Sequence, residues 1–180
     1  LEDNCPNLSA LMAQHPALRQ AITLPDGRIA ALPYVETVPA QNVLWINAGW
    51  LQALKLDMPE DAESFRAMLA AFKNGDPNRN GRRDELPLSF MGAYDLKYLA
   101  HAYGLAANDF NLFIREGRVR FMPLEENFRP FLAWCREMYQ EGLIAKDGFS
   151  AVDAFRRVSD PKAEKKTGAF FAPLPTYLVP

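Results

Sequence analysis

The chain has 180 residues, 20 Lys and Arg against 22 Asp and Glu, and 12% aromatic residues. That length suits one domain or a small two-lobed piece with a substantial core. The near balance of charge, with no basic stripe, gives no argument for a nucleic-acid or anionic-membrane partner. No apolar run approaches the roughly 18 residues needed to span a bilayer, and no opening segment reads as a signal peptide.

In chain order, residues 7–15 read as a short helix, with Leu8, Leu11 and Met12 at helical spacing and Pro16 ending it. Ile22-Thr23-Leu24 and Arg28-Ile29 flank Pro25-Asp26-Gly27, which predicts a hairpin. Pro33 and Pro39 bracket an extended stretch that proline bars from being a central strand throughout. Val43 to Ile46 reads as a buried strand, and Asn47 as the cap of a helix carrying Trp50, Leu51 and Leu54. A second helix over 62–73 presents Phe65, Met68, Leu69 and Phe72 on one face.

Leu86 to Met91 predicts a strand, and Leu96, Leu99, Ala100 and Tyr103 line a helix closed by Gly104. Arg115-Glu116-Gly117 turns a small hairpin. A helix over 128–141 follows, with Phe131, Leu132, Cys135, Met138 and Tyr139 expected inward. Paired Glu125 and Glu126 suit the dipole at its start. A further helix is expected from Phe149 to Arg157, then a polar surface connector from Ser159 to Lys166, and a buried strand beginning near Gly168.

The most informative stretch is Asp76-Pro77-Asn78-Arg79-Asn80-Gly81-Arg82-Arg83-Asp84-Glu85. Oxygen-bearing side chains at every second position, with a glycine for the sharp bend, are how a short loop wraps Ca²⁺, which takes six to eight oxygens in irregular geometry. Asp76, Asp84 and Glu85 would supply charge, Asn78 and Asn80 neutral oxygens, and Arg82 its backbone carbonyl. The first half fits the EF-hand pattern, but Pro87 stands where an EF-hand places its bidentate Glu, so Glu85 takes that role. The alternative is a surface turn with solvated acids and Arg79, Arg82 and Arg83 as counter-charges.

Catalytic signatures are absent. His15 and His101 have no acidic or cysteine neighbours at metal-ligand spacing, and there is no nucleophile elbow, Walker loop or dinucleotide fingerprint. Two cysteines make no disulfide framework; Cys135 falls on a helix stripe as a small hydrophobe. Cys5 is not expected to serve as a lipid anchor, since no apolar leader precedes it and Asn4 is bulky. Most aromatics lie on helix stripes and belong to the core, whereas Tyr34 and Tyr177, in proline-stiffened extended segments, are candidate sugar contacts.

Four pieces occur in order: residues 25–33, Leu44-Trp45-Ile46-Asn47 with Trp50-Leu51, Ala71-Phe72-Lys73 running into the Asp76 loop, and Tyr139 to Ile144. Together they resemble the family 1 extracellular solute-binding proteins of ABC importers, particularly the lipoprotein and alginate-oligosaccharide-binding branches. The resemblance implies an α/β fold of the periplasmic binding protein type II kind. Residues 1–37 would be the edge of the first lobe and the start of the hinge crossing near Glu36 to Gln41. Residues 38–180 would be most of the second lobe, incomplete at its C-terminus.

By the same resemblance the loop holds a structural Ca²⁺ through Asp76, Asn78, Asn80, Arg82, Asp84 and Glu85, and Tyr34, Glu36 and Tyr177 contact ligand. The expected role is delivery of a solute, an oligosaccharide or sugar, to a permease without chemistry. The expected location is extracellular, as a cell-surface lipoprotein or in the periplasm, with any lipid anchor outside this chain. Family members are considerably longer, so a fragment is expected. The rival expectation is a calcium-stabilised polysaccharide-active enzyme.

Overall fold

Two helices, α1 (Pro6–Gln14) and α2 (Pro16–Ile22), each open on a proline, whose missing N–H is harmless in a first helical turn. Pro16 thus ends the first helix as expected but immediately starts another. This corrects the expected hairpin, because Ile22 is the last helical residue and not a strand residue. What survives of the hairpin is the turn with a short antiparallel pairing across it, the Ala30 N–H donating to the Ile22 carbonyl at 3.1 Å. Gly27 sits at φ 85, Leu24 N–H donates to the Arg28 carbonyl at 2.9 Å, and a single antiparallel bridge joins Thr23 to Ile29. The computed structural model describes residues 4–33, 43–149 and 166–172. The chain divides into two units, Leu1–Pro39 and Ala40–Pro180, and these elements belong to the first.

The second unit is organised by a mixed three-stranded sheet. Its strands are β1 (Val43–Ile46), β2 (Leu86–Ser89) and, completing the order β1-β5-β2, β5 (Thr167–Ala172) between them. β5 runs antiparallel to β1 and parallel to β2, with Trp45 opposite Phe170 and Leu88 opposite Ala169. On the far side of β2, Leu88 makes one parallel bridge to Ile144. All six residues of β5 are buried, which is why its sequence is apolar on both faces instead of alternating.

Asn47 caps α3 (Ala48–Leu54) as its position predicts, its side chain accepting the Trp50 N–H at 3.2 Å. In α4 (Ala62–Asn74) Asp61 and Ser64 form a capping box, and Phe65, Met68, Leu69 and Phe72 are the buried face. α4 lies against the sheet, and Phe72 meets Trp50 edge-on with ring centroids 5.2 Å apart. Gly168 of β5 is where this packing is tightest. A Cβ there would fall 2.5 Å from Phe72, 2.8 Å from Trp50 and 3.0 Å from the Pro87 carbonyl oxygen.

The expected helix around Leu96 is a 3₁₀ helix, Ala93–Tyr103, ended by Gly104 at φ 69. Three residues per turn stack Leu96 directly over Leu99 and put both in the core. Asp95 is also buried there, its Oδ2 accepting the backbone N–H groups of Met91 and Gly92 at 3.1 Å each. The hairpin β3 (Leu112–Arg115) and β4 (Arg118–Phe121) turns on Glu116 and Gly117, at φ 53 and 73, the geometry that matches strand twist.

In α5 (Phe128–Gln140) the inward face is rotated from the expected one. Phe131, Trp134 and Met138 are buried, whereas Leu132 and Tyr139 are exposed and Cys135 is half-buried. The cause is lateral packing: Trp134 is held among Phe65 and Tyr103, which periodicity within one helix does not reveal. Burial still pushes the Cys135 thiol up to about 12, so it stays an inert small hydrophobe. Residues 146–149 form a 3₁₀ turn, and the helix expected beyond Phe149 lies outside the described residues.

Glu125 does not serve the α5 dipole. Its side chain is 8% exposed and ties the hairpin down, accepting from Arg120 Nε at 2.7 Å and Arg115 Nη1 at 3.3 Å. The Arg120 hydrogen bond holds the Glu125 carboxyl below the ordinary range. A depressed folded-state value means that the tie contributes stability above the unfolded carboxyl pKa of about 4.3, and loses it as pH falls through the folded value. Glu125→Gln is therefore expected to melt below the wild type at pH 7 and to show a shallower loss between pH 5 and pH 3. Parallel melting curves for the two chains would contradict this.

Candidate functional site

The loop between α4 and β2 is wound tightly by three left-handed residues, Asp76 at φ 46, Arg79 at φ 58 and Gly81 at φ 72. Its inner hydrogen bonds come from the oxygen-bearing positions picked out by spacing. Asp76 Oδ1 accepts the Asn80 N–H at 2.9 Å and Oδ2 the Gly81 N–H at 3.0 Å. Asn78 Oδ1 also accepts from Asn80 N–H, at 3.2 Å, and Asn80 Oδ1 accepts the Arg82 N–H at 2.7 Å. Arg79, Arg82 and Arg83 are exposed.

The two acids at the loop's exit differ sharply. Asp84 is well supplied: Asn80 Nδ2 donates to Oδ1 at 2.9 Å, and Lys166 Nζ lies 3.0 Å from Oδ2. Those two contacts, with the more distant charge of Arg82, hold the Asp84 carboxyl below its usual range. Glu85 is 8% exposed, and both its carboxylate oxygens are buried without a hydrogen-bond partner among the described residues. An uncompensated buried carboxylate is costly, and hydrogen bonds, a paired cation or a metal ion are its usual remedies.

Hard oxygen donors together with an orphaned acid fit a calcium-type cation. Among the described residues, however, no three His, Cys, Asp or Glu side chains are gathered for a metal ion as the loop now stands. Sequence reasoning missed Lys166, which it placed in a polar connector. Only the pairing of β2 with β5 brings that lysine to the loop, and nothing local in the sequence signals it.

The candidate ligand contacts Tyr34, Glu36 and Tyr177 lie outside the described residues. Within the second unit there is a cavity of about 640 Å³ lined by residues that include Leu96, Met122, Phe131, Tyr139 and Phe149. Its wall is almost wholly apolar, a poor match for sugar hydroxyls, which need converging polar groups. No helix among the described residues is long and apolar enough to cross a membrane.

A mixed sheet flanked by helices, with an oxygen-rich loop leading into one strand, is a layered α/β architecture. No family model matches the chain. Individual relatives do. The chain is 35% identical over 156 residues to the fructooligosaccharide ABC transporter substrate-binding protein FusA of Streptococcus pneumoniae, covering 80% of this chain and 29% of that protein. It is 30% identical over 131 residues to lipoprotein LipO of Bacillus subtilis, covering 68% of this chain and 25% of LipO.

The structure of FusA in complex with kestose superposes with a TM-score of 0.80 at 30% identity, over 96% of this chain and 37% of that one. Another structure of FusA is of an EF-hand mutant with fructo-nystose, with a TM-score of 0.76 at 27% identity, over 96% of this chain and 37% of that one. Alginate-binding protein AlgQ2 without calcium ion matches at 26% identity and a TM-score of 0.75, over 94% of this chain and 35% of that one. The chain is similar to these substrate-binding proteins of ABC transporters over most of its own length and has an α/β fold like theirs. It spans between 25% and 29% of the length of the curated relatives it matches.

Proposed function

We propose that this chain is part of an extracellular, lipoprotein-type binding subunit that captures an oligosaccharide and presents it to an ABC permease. The observation that carries the reading is the similarity to FusA, which extends over most of this chain. Residues 38–180 would supply most of the second lobe, and residues 1–37 the edge of the first with the start of the crossing. Tyr34, Glu36 and Tyr177 would present rings and a carboxylate to the sugar. Binding would be followed by release, with no bond made or broken.

The loop would hold a structural Ca²⁺ through Asp76, Asn78, Asn80, Asp84 and Glu85 side chains and the Arg82 carbonyl. The orphaned carboxylate of Glu85 is the feature of this chain that supports it. The ion would supply positive charge to that buried acid and pin the end of α4 to the start of β2. It would act on stability and not on ligand chemistry.

The test is calorimetric titration of the protein, in its longest natural form, with kestose, nystose, alginate oligosaccharides and a short peptide. One carbohydrate should bind tightly and be recovered intact. Appearance of a shortened sugar would refute a binding-only role, and saturable binding of the peptide alone would refute the carbohydrate assignment.

A further inference from the structure

We infer that Lys166 is a built-in counter-cation of the Asp76–Glu85 loop, competing with a divalent ion for Asp84 and so setting how tightly that ion is held. The inference rests on the calcium reading of the loop. It starts from backbone geometry. The Lys166 carbonyl accepts the Leu86 N–H at 2.8 Å, and Thr167 is in register with Leu86 on the parallel strand. Leu86 follows Glu85 directly in the chain, so the sheet fixes the lysine beside the loop's exit. Its ammonium reaches Asp84 Oδ2 at 3.0 Å, with both side chains mostly shielded, at 23% and 25% exposure.

Asn80 Nδ2 takes the other oxygen of Asp84 at 2.9 Å. Both oxygens of this acid are therefore engaged by donors, whereas those of Asp76 accept backbone N–H groups of its own loop. For Asp84 to ligate a cation, the ammonium must withdraw or tolerate a divalent charge beside it. Affinity of an oxygen site follows the number of carboxylate charges it can offer. Lys166 neutralises one acid out of Asp76, Asp84 and Glu85. When divalent ion is scarce, the same contact ties the loop to β5 in the ion's place.

Lys166→Met keeps the aliphatic stem and removes the charge; Lys166→Gln is a second charge-free variant, and Lys166→Arg keeps the charge. The measurements are calorimetric titration with Ca²⁺ and thermal melting in chelator and in saturating Ca²⁺. Both charge-free variants should bind Ca²⁺ roughly tenfold more tightly than the wild type, since a competing positive charge is gone. They should melt below the wild type in chelator and close to it in saturating Ca²⁺, with Lys166→Arg behaving like the wild type. Equal or weaker Ca²⁺ binding in the charge-free variants would overturn the role of Lys166 and leave the calcium reading standing. No Ca²⁺ uptake by the wild type or any variant would overturn both.

Discussion

Gly168→Ala should cost about 2–4 kcal/mol of folding stability, and Gly168→Val should leave the second unit unable to pack. Gly168 needs no special φ, so backbone freedom is not the reason. The reason is space: a Cβ would meet Phe72 at 2.5 Å and Trp50 at 2.8 Å, both in the middle of the core, and the Pro87 carbonyl of the neighbouring strand at 3.0 Å. Rings can yield only by leaving their edge-on contact, and a backbone carbonyl in a parallel ladder must give by a few tenths of an ångström against its own hydrogen bonds. Urea unfolding of the alanine variant measures the loss directly. A midpoint unchanged from the wild type would mean that α4 and β5 are further apart than described.

Calcium should raise the melting temperature by about 5–10 °C at a hundredfold excess over its Kd, which corresponds to about 2.7 kcal/mol for an ion bound only by the folded chain. Glu85→Gln sharpens the test by predicting opposite effects in two buffers. In chelator the wild type carries a buried carboxylate with no hydrogen-bond partner among the described residues, so the variant should melt higher than the wild type. In Ca²⁺ it should melt lower, having lost a charged donor. Curves that keep the same order in both buffers would show that Glu85 does not answer to a cation, and the loop would then be a hydrogen-bonded turn.

Features set by short stretches of chain were legible in advance. The buried face of α4, the Asn47 cap, the Gly104 stop and the Glu116-Gly117 turn each depend on residues within a few positions of one another. The order of oxygens from Asp76 to Glu85 is legible for the same reason, whereas the burial of Glu85 is not. Features set by neighbours were not. Nothing in 128–140 says that Trp134 rather than Leu132 faces the core, because that is decided by Phe65 and Tyr103. Glu125 reads as a dipole partner until the hairpin brings Arg115 and Arg120 to it. Lys166 reads as connector until the parallel ladder places it against Asp84.

The central place of β5 bears on how the chain is made. β1 and β2 are never hydrogen-bonded to one another; each waits for a strand that leaves the ribosome after nearly everything else described. Until residue 172 has emerged, both present open edges, α4 has no completed floor to lie on, and sequence-distant contacts must form before any of the sheet closes. A nascent chain in that condition cannot complete its core until the last described strand is available.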